Sequence, residues 1–85
     1  MRAEEINEII AVTTDYRLGR VVPVCFDWQN RTYTIARIHL HWEEKGLGTV
    51  KEHHFTVSAG SADMYELIFE PAEMRWRLGQ VLMEG

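Results

Sequence analysis

Residues 32–57 constrain the fold of this chain more than any other stretch. Two alternating runs flank Glu44-Lys45-Gly46-Leu47-Gly48-Thr49 and read as one β-hairpin. Successive strand side chains point to opposite sides of a sheet, so Ile38, Leu40 and Trp42 are expected on one face and Arg37, His39 and His41 on the other. On the return run Phe55 and Val57 match the apolar face, and Glu52 and His54 match the polar one. The expected result is an outer surface of Arg37, His39, His41, Glu52 and His54. Pairing Ile38 with Phe55 would set His39 opposite His54 and His41 opposite Glu52. A slip of two residues keeps the faces and brings Arg37 opposite His54 instead.

The same reading extends along the chain. Residues 6–14 fit a strand through Ile6, Ile10 and Val12, or a helical stripe through Ile6, Ile9 and Ile10. The β-branched run Ile9-Ile10-Ala11-Val12-Thr13-Thr14 favours the strand, while Ala3-Glu4-Glu5 could form one short helical turn before it. Residues 21–28 form a second strand, with Val22, Val24, Phe26 and Trp28 on one side and Val21, Pro23, Cys25 and Asp27 on the other. Pro23 cannot donate to a ladder, which puts this strand at an edge, or Pro23 at the strand's start or near a bulge. Gln29-Asn30-Arg31 is a tight connection, since Asn30 tolerates the left-handed conformation. Further strands follow at 50–58, at 64–70, where Pro71 stops it, and from Arg75 onward, with Val81-Leu82-Met83 continuing past Gly79. The expectation is an all-β domain over residues 1–85, an antiparallel meander of five or six strands curled into a barrel or half-barrel.

Length and charge narrow the function classes. A chain of 85 residues buries only about 60–65% of the surface its unfolded form exposes, so a deep two-domain cleft is not expected. Formal net charge is −4 with no basic run, which disfavours non-specific attraction to phosphate backbones. Cys25 is the only cysteine; no intrachain disulfide can form, and a reducing, cytoplasmic setting is favoured. The start of the sequence lacks a signal-peptide pattern, and no window approaches the roughly 20 apolar residues of a membrane helix.

Gly-rich phosphate loops, nucleophile elbows and paired catalytic carboxylates are missing from the sequence, which weighs against an enzyme, and no cofactor is implied. The pattern His39-x-His41 with His54 on the neighbouring strand is a geometry that can hold zinc, and a solvated sheet face is its plainer reading. His53 falls on the inner face near the turn. Trp28, Trp42 and Trp76 sit near strand ends, where large rings seal a small core. Their alternative is a stacking platform for nucleic acid beside Arg31, Arg37, Arg75 and Arg77.

Phe26-Asp27-Trp28, Arg31-Thr32-Tyr33, Tyr65-Glu66-Leu67 and Trp76-Arg77-Leu78, with Trp42 and His54-Phe55-Thr56-Val57, resemble a family of small uncharacterised bacterial domains, some found beside or fused to DNA-repair polymerase proteins. The resemblance implies a compact β fold and an accessory role in DNA metabolism. From the residues themselves the leading expectation is a non-enzymatic module that binds a protein partner or a second copy through an exposed sheet face or edge strand.

Overall fold

The computed structural model describes residues 2–83. They form one antiparallel sheet of seven strands: β1 (Arg2–Arg17), β2 (Arg20–Trp28), β3 (Arg31–Thr34), β4 (Arg37–Gly46), β5 (Thr49–Ser58), β6 (Met64–Glu70) and β7 (Arg75–Met83). Spatial order is β3-β2-β1-β7-β6-β5-β4. Residues 3–5 lie in β1, so the short helical turn expected there is replaced by strand. No helix among the described residues is long and apolar enough to cross a membrane.

Three tight turns set the hairpins. Each places two residues at positive φ: Leu18 and Gly19 (51° and 75°), Gln29 and Asn30 (52° and 60°), Leu47 and Gly48 (39° and 86°). Paired positive φ values are those of the two-residue turn whose twist suits antiparallel strands. The reading of Asn30 as left-handed therefore holds, and β4 runs on to Gly46, further than the sequence turn signal indicated.

The expected barrel is not closed, and the strand count is seven. The long strand expected over 32–42 divides into β3 and β4, which become the two edges of the sheet. Ile35 and Ala36 carry the chain from one edge to the other: the Ile35 N–H donates to the Val24 carbonyl and the Ala36 N–H to that of Ser58. Beyond this point the edges part. Among the described residues, no Cα of β4 lies within 8 Å of one in β2.

The concave face holds the core: Phe26, Phe55, Val57, Tyr65, Leu67, Phe69, Trp76, Leu78 and Val81 are all buried. Ile6, Ile10 and Val12 of β1 pack against it, as the strand reading of that segment requires. Bulges bend the sheet and alter which residues join this face. The β1–β2 register jumps from Thr13↔Cys25 to Thr14↔Pro23, which makes Val24 the extra residue. Val24 is exposed, and Val21, expected on the far side, packs on the core while Pro23 is buried. Pro23 thus lies next to a bulge, one of the settings its missing N–H allows.

Candidate functional site

A second bulge decides where the histidines go. Ile38 pairs with Val57 but Leu40 pairs with Thr56, leaving His39 as the extra residue of β4. One inserted residue inverts every face that follows. Leu40 and Trp42, expected in the core, lie on the convex face and are 60% and 42% exposed, while His41 moves to the concave face opposite Phe55. The outer constellation expected from the sequence is therefore divided. Arg37 pairs with Ser58 at the start of β4, and His39 Nε2 lies 3.0 Å from Ser58 Oγ. His41 is removed to the other side, and Glu52 and His54 stay on the convex face. The proposed zinc trio of His39, His41 and His54 does not converge.

On the concave side His41 joins residues that the sequence did not group with it. Its ring lies flat on Phe55, with centroids 4.4 Å apart and planes at 3°. Its Nε2 is 3.4 Å from His53 Nδ1, and Glu43 Oε2 lies 3.8 Å from the same His53 nitrogen. Burial against the core lowers the pKa of His41, and the neighbouring His53 and, more weakly, Arg20 push the same way, against Glu43. These groups line a cleft of about 460 Å³ between β2 and β4, with Tyr16, Arg20, Val21 and Val22 on one wall and Ile38, His41 and Glu43 on the other. Gly19, Phe55, Phe69 and Pro71 complete its lining.

The convex side carries a polar network under a partly apolar cover. One rung of the sheet runs Ile9, Arg77, Ile68, His54, Trp42 across five strands. His54 is 9% and Ile68 3% exposed, so this face is more than a solvated surface. Trp42 stacks on the His54 ring, centroids 4.7 Å apart at 13°. Around the imidazole stand three carboxylates: Glu52 Oε1 at 3.0 Å and Glu44 Oε2 at 3.3 Å from Nε2, and Glu66 Oε2 at 3.4 Å from Nδ1. Arg77 donates from Nη2 to Glu52 Oε2 and from Nη1 to Asn7 Oδ1, both at 3.0 Å.

Trp42 is a cover for the convex face, whereas Trp76 is buried in the core as expected. Arg31, Arg75 and Arg77, three of the four arginines considered for nucleic acid, do not share one surface. Arg75 is held by Glu70 at 2.7 Å and Arg77 by Glu52 on the convex side, while Arg31 lies over the Tyr33 ring at the opposite end of the concave face. Glu43, Glu44, Glu66 and Arg20 were absent from the sequence-derived site, because their placement depends on bulges and on strands distant in sequence. Comparisons with protein-family models, curated proteins and solved structures return no match for this chain.

Proposed function

We propose that this domain is a binding module that takes up an extended segment of a partner protein in the cleft between β2 and β4, by strand addition to the free edge of β4. The observation that carries this reading is the cleft itself. β4 is ten residues long and, among the described strands, pairs only with β5, so its outward N–H and C=O groups face the opening. Unpaired strand edges are ready templates for an added strand. Adjacent strands lie about 4.8 Å apart, so a strand inserted between two others needs roughly 9.6 Å; a separation of more than 8 Å between the Cα atoms of β2 and β4 is consistent with that. The lining offers apolar contacts at Val21, Val22, Ile38 and Phe55 for alternate side chains, with Arg20, His41, His53 and Glu43 for polar ones.

Selection of short random peptides on the immobilised protein tests the proposal. Peptides with a shared alternating pattern are expected, and an Ile38→Lys variant with an unchanged melting temperature should lose them. Failure to select any peptide, or equal binding to that variant, would remove the reading. Concentration-dependent dimerisation abolished by the same substitution would identify a second copy as the occupant in place of another protein.

A further inference from the structure

The convex face holds a cluster of different chemistry from the cleft, built on His54. Its ring is nine-tenths buried and both nitrogens face carboxylate oxygens: Nδ1 faces Glu66, and Nε2 faces Glu44 and Glu52. Ionised carboxylates only accept hydrogen bonds, and a neutral imidazole has one N–H to give. If Nδ1–H is donated to Glu66, the Nε2 lone pair points from a buried side chain at two further acceptors. Among the described residues no Lys or Arg side chain faces that nitrogen. The guanidinium of Arg77 is engaged by Asn7 and by the other oxygen of Glu52.

Charge and register lead to the same place. Glu44 and Glu52 are direct cross-strand partners, an arrangement that is destabilising for like charges. Three carboxylates and one guanidinium around a neutral imidazole leave two negative charges in the cluster, which a divalent cation would balance.

We propose that Glu44 Oε2, Glu52 Oε1 and His54 Nε2 form a binding site for a divalent transition-metal ion, with zinc the best match to the donors. One ligand atom from each of these three residues lies within 4.8 Å of the other two. Zinc binds imidazole nitrogen and carboxylate oxygen at about 2.0–2.2 Å, so neighbouring ligands of a tetrahedral ion stand about 3.3 Å apart. The observed Nε2 separations of 3.0 and 3.3 Å need only small adjustment. One nitrogen and two oxygens suit zinc better than magnesium, which favours oxygen ligands and retained waters. Glu66 completes the arrangement by accepting from Nδ1, the outer carboxylate that orients most metal-binding histidines. Glu44 is the exposed member, its side chain 65% accessible, so a solvent molecule can fill the fourth position.

Calorimetric titration of zinc into chelator-treated protein is expected to show one site per chain, with the melting temperature rising as zinc is added. Glu44→Gln alters an exposed side chain and relieves the Glu44–Glu52 repulsion, so it should keep or slightly raise the zinc-free melting temperature while weakening zinc binding by about tenfold or more. Glu66→Gln leaves the three ligand atoms in place and should weaken it about 10–100-fold, as loss of an outer-shell partner does. His41→Gln, on the other face, should leave zinc affinity unchanged. Absence of both heat and thermal shift in the native protein would overturn the proposal. Equal affinity in Glu44→Gln, or loss of binding in His41→Gln, would overturn it as well.

Discussion

His41 lies against the aromatic floor of the cleft, and the position gives its protonation a defined sign. Desolvation against Phe55 and the adjacent His53, with a smaller effect of Arg20 from β2, hold its pKa below the ordinary imidazole value, with only Glu43 opposing them. A group whose proton affinity is lower in the folded than in the unfolded chain makes the unfolded chain take up the proton first. The stability linked to His41 is therefore intact above the unfolded value near 6.5, and is lost as pH falls from there through the folded pKa. Titration of the His41 ring by proton NMR should give a midpoint below that of a free imidazole. The decline in melting temperature between neutral and mildly acidic pH should flatten in His41→Gln, where the titrating ring is gone. A midpoint at or above the ordinary value would show that the ring is not held against Phe55 in solution. The same residue illustrates how an exposed-face assignment can fail: side-chain parity along β4 holds from Arg37 to Ile38 and is inverted by a single unpaired residue, His39.

At the scale of elements, turns and bulges divide what local sequence can express. Leu47 stands at φ 39° before Gly48 and is fully exposed. A left-handed conformation costs an L-residue about 1–2 kcal/mol, less for asparagine, and Asn-Gly is the preferred pair for this turn. Leu47→Asn is expected to stabilise the domain by about 0.5–1 kcal/mol, measured by chemical denaturation. No gain would indicate that Leu47 is covered in solution. All three two-residue turns contain Gly or Asn, which is why the hairpins and most strand positions were legible. Alternation also groups Phe55 with Val57 on the apolar face, and both are found in the core, as is Trp76, expected to seal it. The bulge at Val24 is marked in the sequence only by the neighbouring Pro23, and the bulge at His39 left no mark, because the extra residue there has no distinguishing turn chemistry. Gly79 is the exception. The β6–β7 register shifts beside it, and a Cβ there would come within 2.7 Å of Glu66 Oε1 and 2.9 Å of Ile68 Cδ1. The missing side chain makes room for Glu66 over β7, and that position lets Glu66 reach His54. Gly-x-Val in β7 was visible as a strand interruption, but its link to a histidine on β5 lay in the third dimension.

The whole molecule is tied at one end and open at the other. Phe26 of β2 stacks on Tyr33 of β3 at 5.0 Å and meets the edge of Tyr65 of β6 at 5.2 Å, so an aromatic cluster draws the two arms of the sheet together there. Aromatic pairs of this kind contribute about 0.5–1.5 kcal/mol each beyond their buried area. Among the described residues no equivalent ties β4 to β2 beyond Ile35 and Ala36, and the cleft of about 460 Å³ lies in that gap. Opening free energy should follow the same division, since local stability tracks buried contacts and shared hydrogen bonds. Amide hydrogen exchange is expected to be slowest in β5, β6 and β7, which carry most of the buried core and have a paired neighbour on both sides. In β4, amides that donate to β5 should be protected and the alternate ones that face the cleft should exchange close to the rate of an unstructured chain. Adding a peptide selected for binding should slow those outward amides specifically, because strand addition pairs them one by one. Strong protection of every β4 amide in the free, monomeric protein would mean that the edge is already covered, and would leave the cleft without the unpaired backbone on which partner binding depends.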